Sequence, residues 1–161
     1  MSFIIHVYTP AYVLIGQSES TNSFLGWLNN PNKQTLDLFE VEGLSLDPNA
    51  TLVNLSQPLV TLPKRQVEAI DLVSPEAQAS VQLTSRAELA VLYTGRFIIQ
   101  ANMHPSGDMP ISNVFNVIGG DFLSVSDARL YPLVPTRKLP TDHSRVLVVN
   151  KHSVNFYHAR T

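Results

Sequence analysis

The sequence predicts an all-β protein built from two copies of one small β unit, and three observations support this fold class. Short apolar runs alternate with polar residues at the period of two that is typical of strands. Turn-forming residues, among them 7 glycines and 11 prolines, separate the runs. The order of the runs then occurs a second time along the chain, which indicates an internal duplication.

The duplication is indicated by blocks whose apolar and polar residues match at a nearly constant spacing. The first match, of Tyr8 with Tyr93, has a spacing of 85, and the later ones have a spacing of 87. The later blocks are Phe24–Asn29 with Ile111–Asn116, Leu36–Glu40 with Leu123–Asp127, and Leu62–Val67 with Val149–Val154. Chance alternation imitates one such block more easily than three in one register. We therefore predict a first β repeat over residues 1–73 and a second over residues 88–161.

Each repeat carries the local signals of five short strands. Residues alternate over Phe3–Tyr8, and the β-rich runs Tyr12–Ile15 and Phe97–Ile99 follow tight turns. Alternation returns over 36–46 and over 123–125. Apolar residues three and four positions apart, over 24–29 and 111–116, instead predict one or two turns of helix in each repeat.

The last two strands of each repeat are separated by very few residues. In the first repeat, Val60–Leu62 and Val67–Leu72 flank Lys64-Arg65-Gln66, and Pro63 lies directly before these three residues. This connection is too short for a relaxed hairpin loop after a proline. We therefore predict a single 3₁₀ turn that carries the chain from one edge of the unit to the other.

Two further connections complete the predicted organisation. Ser74–Ser80 has serine, proline and glutamate in the order of a helix start, so residues 74–87 are predicted to be a linker or a short helix. The proline-rich stretch Tyr131–Thr141 lies in the second repeat where the first has Leu46–Asn49. Both stretches predict a surface excursion between two strands.

Composition excludes several classes of site and partner. The chain has 161 residues and no cysteine, which excludes disulfides, thiolate zinc sites, Fe–S clusters and a cysteine nucleophile. A formal charge of −2 provides no global attraction to nucleic acid or to anionic lipid. No apolar run approaches the ~20 residues of a membrane span, and the first residues lack the basic region of a signal peptide. We therefore expect a cytoplasmic protein with no membrane partner.

Five short strands with a bend at Gly16 and a one-turn link before the last strand resemble the SH3-like small barrel. The order is more closely similar to the Sm-like family, which includes the bacterial Hfq type. Val149–Val154 is similar to the Sm2 segment of the Hfq type, which has a lysine and a histidine in the turn before the final strand. Val7-Tyr8 with Val13–Gln17 looks like the first hairpin of the Sm1 motif. The helical inserts, and Ala101 in the place of Gly16, depart from the family pattern.

The resemblance implies two duplicated small SH3-like or Sm-like barrel modules with short helical inserts, related by a pseudo-two-fold axis. It also implies RNA binding by the turns before the last strands, where cations would contact phosphate. The candidate binding residues are Lys64, Arg65, Lys151 and His152. The alternative is that these turns simply need solvated residues, which the net negative charge favours. The aromatic residues available for base stacking occupy strand positions that favour core roles; they are Tyr8, Tyr12, Tyr93 and Phe97.

The sequence predicts no catalytic residue, metal ligand or cofactor site. A nucleophile elbow of the form GxSxG is missing, and Gly119-Gly120-Asp121 precedes a strand instead of opening a helix that could cradle phosphate. Four histidines lie in the second half without the spacing that places two metal ligands on one element; they are His104, His143, His152 and His158. A small metal-dependent hydrolase at His104 and His143, with Asp108 or Asp142, is the least favoured alternative.

These observations together favour a non-catalytic binding or assembly module. Only 15% of the residues are charged, and leucine and valine are abundant beyond the clear core positions, which indicates an interface. The edge strands of small barrels are templates for association. We therefore expect self-association or a protein partner, with Sm-like RNA binding as the alternative function.

Overall fold

The fold is one antiparallel sheet of ten strands with short helices, so the all-β prediction is confirmed. The computed structural model describes residues 2–160. The first half contributes β1 (Ser2–Tyr8), β2 (Tyr12–Glu19), β3 (Thr35–Ser45), β4 (Asn54–Pro63) and β5 (Ala69–Leu72). The second half contributes β6 (Glu88–Thr94), β7 (Phe97–Met103), β8 (Phe122–Pro132), β9 (His143–Asn150) and β10 (Val154–Ala159).

Short helices lie where the sequence predicts them. They are α1 (Phe24–Leu28), α2 (Pro75–Ala79) and α3 (Val114–Val117), and a 3₁₀ turn over Ile111–Asn113 leads into α3. The N-terminus of α1 is capped by Ser23, whose Oγ accepts a hydrogen bond from the Gly26 N–H. The hydroxyl of Ser74, at the start of α2, instead accepts from the Ile4 N–H at 3.0 Å. This serine therefore ties α2 to β1.

A single 3₁₀ turn links the last two strands of each half, as predicted. We call Lys64–Gln66 the first basic turn and Lys151–Ser153 the second basic turn. The strand order is β10-β6-β7-β8-β9-β5-β1-β2-β3-β4. In each half the turn therefore carries the chain from one edge of a five-stranded unit to the opposite edge.

The two halves meet where β9 pairs with β5, and we call this contact the junction. Its register sets Ala69 opposite Val149, Ile70 opposite Val148 and Asp71 opposite Leu147. The expectation of two barrels is wrong, because the sheet is open over the described residues. The physical reason is that β5 forms its outer hydrogen bonds with β9 and does not return to β4 of its own half.

The expected pseudo-two-fold axis is also contradicted by the strand order. A two-fold axis would pair like edges of the two halves. At the junction the fifth strand of the first half pairs instead with the fourth strand of the second. The halves therefore follow one another in the same direction across the sheet.

Strand register is the same in both halves. Tyr8 lies opposite Val13 in β1 and β2, and Tyr93 lies opposite Ile98 in β6 and β7. The third strand of each half breaks its register with the second strand at the same place. Only two non-glycine residues between positions 2 and 160 have positive φ, and both lie at these breaks: Glu40 at 52° and Asp127 at 47°. We call residues that occupy the same register position in the two halves equivalent.

Each apolar cluster draws side chains from both halves. The cluster under the first half includes Val146 and Val148 from β9, and the cluster under the second half includes Tyr8, Val13 and Ala69. Strands β5 and β9 are therefore buried on both faces. Burial of this shared apolar surface stabilises the junction.

Polar contacts reinforce the junction on the side of the proline-rich excursion. The buried Asp71 carboxylate accepts hydrogen bonds from the hydroxyls of Thr141 (2.9 Å) and Ser144 (2.5 Å), and His6 Nδ1 lies 3.8 Å from it. The Arg137 side chain donates to backbone carbonyls of the first half. These contacts pair Asp71 and Arg137 with polar groups of the opposite half. No helix in the described part of the chain is long and apolar enough to cross a membrane.

Candidate ligand-binding cleft

The two basic turns line one cleft at the junction. The cleft has a volume of about 370 Å³. It is formed by residues 28–31, 33 and 34 before β3, by Lys64 and Arg65 of the first basic turn, by residues 119–122 at the start of β8, and by Asn150 and His152 at the second basic turn. Three of the four predicted binding residues line it, namely Lys64, Arg65 and His152.

Backbone hydrogen bonds place each basic turn against the loop that precedes the third strand of its own half. The Lys64 N–H donates to the Gln34 carbonyl at 2.9 Å, and the Lys151 N–H donates to the Asp121 carbonyl at 2.8 Å. Asn150 then ties the second turn to the first half, because its Nδ2 donates to the Val67 carbonyl at 2.9 Å. The two turns are therefore held side by side.

Asn29 forms the floor of the cleft by pairing with the first residue of β8. Its Oδ1 accepts from the Phe122 N–H at 2.9 Å, and its Nδ2 donates to the Phe122 carbonyl at 3.0 Å. A Cβ atom at Gly120 would lie 2.4 Å from the Asn29 Cγ, so only glycine fits beside this side chain. The double glycine that precedes β8 thus admits a contact between the halves.

Basic groups outnumber acidic groups in the cleft. Lys33, Lys64 and Arg65 line it together with His152, while Asp121 is its one carboxylate. Burial and the neighbouring Lys33 lower the pKa of Lys64, and Asp121 offsets part of this shift. An anion bound near both ammonium groups would favour their charged forms and would itself be stabilised.

Asp121 also orients the histidine of the second basic turn. Its Oδ1 lies 2.8 Å from His152 Nε2, and both side chains are largely exposed. The Lys64 Nζ donates to the Asn30 carbonyl at 3.2 Å. Hydrogen bonds therefore fix two of the four basic side chains before any ligand binds.

Lys151 and Lys33 differ from the sequence prediction in opposite ways. Lys151 belongs to the second basic turn, but its side chain is not among those that line the cleft. Lys33 was missed, because its equivalent in the second half is Gly120 and comparison of the repeats gives no basic pattern there. Its ammonium lies 5.3 Å from the centre of the Trp27 ring, a cation–π contact that holds it at the rim.

The aromatic residues considered for base stacking do not line the cleft. Tyr8 and Phe97 are buried, and their rings meet edge to face at 5.9 Å. Tyr12 is exposed at the start of β2, and Tyr93 is partly exposed on β6. A stacking platform inside the cleft is therefore not formed by these four side chains.

The other histidines of the second half are dispersed. His104 lies 2.7 Å from the Ser126 hydroxyl and 3.0 Å from the Thr84 carbonyl, and His143 lies 4.0 Å from Asp127. His158 contacts the Tyr93 hydroxyl at 3.1 Å. Residues 2–160 contain no group of three or more histidine, cysteine or carboxylate side chains that could hold a metal ion. The metal-dependent alternative thus lacks a ligand set in this range.

Comparison of the chain with protein-family models, with curated proteins and with solved structures found no match. The resemblance to the Sm-like family therefore stays a prediction. The cleft is lined mainly by basic side chains, two of which are already positioned by hydrogen bonds. This arrangement suits the binding of an anionic group.

Proposed function

We propose that this protein is a non-catalytic assembly module whose copies associate head to tail through the two free edges of the sheet. One observation carries the proposal. The junction pairs the fifth strand of one half with the fourth strand of the other, whereas the remaining fourth and fifth strands, β4 and β10, end the sheet. The contact that joins the halves can therefore form again between β10 of one copy and β4 of the next.

The common origin of the halves is part of this proposal. We infer that one five-stranded unit with an Sm-like strand order was joined to itself, and the matching registers, 3₁₀ turns and positive-φ residues support it. A unit of this kind has one free edge of each type. Fusion pairs the strand at one edge of each unit, and the strand at its other edge stays without a partner strand.

Unpaired edge strands favour association because their backbone groups can form hydrogen bonds with another strand. The junction register predicts the pairing between copies: Phe156 opposite Leu62, Tyr157 opposite Thr61, and His158 opposite Val60. Pro58, which lacks a backbone N–H, lies outside this short segment of β4.

Light scattering tests the association, and cysteine cross-linking tests its register. We expect a mass above 17.8 kDa that rises with protein concentration. The natural chain has no cysteine, so Val60→Cys and His158→Cys variants can be mixed under oxidation. The mixture should give a heterodimeric disulfide. The matched control pairs His158→Cys with Ser56→Cys, four residues (about 13 Å) farther along β4, and should not cross-link. A single chain at every concentration would contradict the proposal.

A second candidate function is supported by the cleft. We propose that it binds the phosphates of single-stranded RNA, because Lys33, Lys64, Arg65 and His152 converge there around a single carboxylate. Binding to labelled single-stranded RNA should weaken steeply as salt rises. Arg65→Ala should weaken it several-fold, while Arg145→Ala, which removes the same charge from an exposed position in β9, should not. RNA retention that does not depend on salt or on Arg65 would exclude this candidate.

A further inference from the structure

We propose that the outward face of the second half is the docking surface for the first half of a second copy, and that side chains pass across this contact in both directions. This inference rests on the proposed head-to-tail association. It adds the side chains that would make the contact form only between the second half of one copy and the first half of the next. Within the chain, the second half covers the equivalent surface of the first half. The half that would cover the second half in the same way must come from a second copy.

The docking surface is an apolar row across four strands. Phe156, Tyr93, Ile98 and Tyr131 lie opposite one another in register on β10, β6, β7 and β8. The rings of Tyr93 and Phe156 stack at 4.3 Å. Phe156 is 59% exposed and Tyr131 is 47% exposed, so the row faces outward at both of its ends. Exposed aromatic side chains in a continuous row are typical of interfaces.

The equivalent row of the first half is buried by the second half. Ala69, Tyr8, Val13 and Leu44 lie opposite one another in the same order on β5, β1, β2 and β3. The first three are at most 3% exposed, and all four belong to or pack against the apolar cluster of the second half. The same surface is thus covered in one half and open in the other.

The second half also contributes side chains to the interior of the first half. The second half places Val146 in the apolar cluster of the first half, and its Phe97 contacts Tyr8. Val146 is 7% exposed, whereas its equivalent Leu59, on the free strand β4, is 51% exposed. The equivalent of Phe97 is Tyr12, which is also exposed. The first half therefore presents the side chains that the docking surface of another copy would bury.

Polar groups at the free edges match those at the junction. Asp71 accepts there from Thr141 and Ser144. The equivalents of these three residues are His158, Asn54 and Gln57, which can also form hydrogen bonds with one another. No buried charge would be left without a partner in this contact.

Two blocked variants test the docking surface and its direction together. Phe156→Lys places a charge on the docking surface, and Leu59→Lys places one on the side chain that enters the other copy. Because both residues are exposed in the single chain, both variants should fold, which circular dichroism and thermal unfolding check. Each variant alone should remain a single chain. Their mixture should give a heterodimer, since one unblocked contact of each type remains.

The matched control is Val117→Lys, which adds the same charge at an apolar residue of similar exposure in α3, outside β4, β10 and the apolar row. It should associate as the natural chain does. If the natural chain associates and both blocked variants still do so unchanged, the docking surface is wrong while head-to-tail pairing stands. If each variant is a single chain and the mixture gives no heterodimer, the proposed direction is wrong. If the natural chain itself never associates, the proposed function fails first.

Discussion

The two halves of the molecule share one strand order and one register, yet they differ at the positions that face the junction. In the first half, Asp71 and Ala69 lie on β5 beneath the second half, whereas their equivalents His158 and Phe156 lie on the free strand β10. The comparison teaches that the fold of a half does not depend on these side chains. The residue type at each of these positions instead differs with whether the other half covers the position.

The basic turns show the same division. Asn150 begins the second turn, accepts from the His152 N–H at 3.0 Å, and donates across the junction to the first half. Its equivalent at the start of the first turn is Pro63, which begins the turn without a side-chain hydrogen bond. Asn150 ends the paired strand β9, whereas Pro63 ends the free strand β4, so the side chain that binds across the edge is found only where the edge is paired.

The largest effect expected from this comparison is the loss of a buried aromatic ring. Tyr8→Ala should lower the free energy of unfolding by about 3–4 kcal/mol, because it leaves a cavity between the halves. Its equivalent Tyr93 is partly exposed, so Tyr93→Ala should cost about 1 kcal/mol. Urea unfolding of both variants at one low protein concentration measures the difference. Equal losses would show that the two rows are in similar environments.

A smaller effect is expected at the buried carboxylate. Asp71→Ala leaves the hydroxyls of Thr141 and Ser144 without their acceptor and should cost about 2 kcal/mol. His158→Ala removes the equivalent side chain from an exposed position and should change stability by less than about 0.5 kcal/mol. Chemical denaturation of the two variants checks this prediction. A stabilised Asp71→Ala protein would contradict it.

The two glycines that precede β8 offer the next comparison. Gly120→Ala should displace Asn29 from its two hydrogen bonds with Phe122 and cost about 1–2 kcal/mol. Gly119→Ala meets nothing within 4 Å and should be nearly neutral. Thermal unfolding separates the two. In an Asn29→Gly background the cost of Gly120→Ala should largely disappear, because the Cβ, Cγ and Oδ1 atoms that the added methyl group would meet are gone.

The smallest effect concerns pH. Burial lowers the pKa of His6, and the Asp71 carboxylate offsets only part of this shift. The unfolded state therefore takes up a proton first, so stability is lost as pH falls below about 6.5. Burial raises the pKa of Glu68, an effect of opposite sign because the folded state then takes up the proton first. His6→Val, which introduces the residue found at the equivalent Val91, isolates the histidine.

The measurement is the difference in unfolding free energy between the natural chain and His6→Val from pH 7.5 to pH 5. This difference should move in favour of the variant as pH falls, by less than about 1 kcal/mol. Measuring both proteins at every pH cancels the contributions of the other titrating groups, Glu68 included, because the two proteins share them. A constant difference for His6→Val would contradict the assigned direction.

Local features of the fold could be predicted from the sequence because each depends on a few neighbouring residues. Pro63 and a three-residue spacing predicted the first basic turn, and the order of serine, proline and glutamate over 74–76 predicted the start of α2. The hydrogen bond that the Ser74 hydroxyl accepts could not be predicted. Its partner, the Ile4 N–H, lies 70 positions away and leaves no local signal.

The junction could not be predicted for the same reason. The short run Val67–Leu72 indicates a strand but not whether its outer edge meets β4 or β9, so the open sheet replaced the expected barrels. The candidate cleft was predicted in part. Matching repeats identified Lys64 and His152, whereas Lys33 has no basic equivalent and only the folded chain brings it to them.

The exchange of side chains between the apolar clusters has a consequence for how the chain unfolds. Since Val146 and Val148 complete the core of the first half, and Tyr8 and Val13 that of the second, neither half retains its full interior when the other opens. Heating should therefore melt the protein in one cooperative step. If the chain is divided within the 80–87 segment, the two fragments should each be poorly ordered alone and regain structure when they are combined.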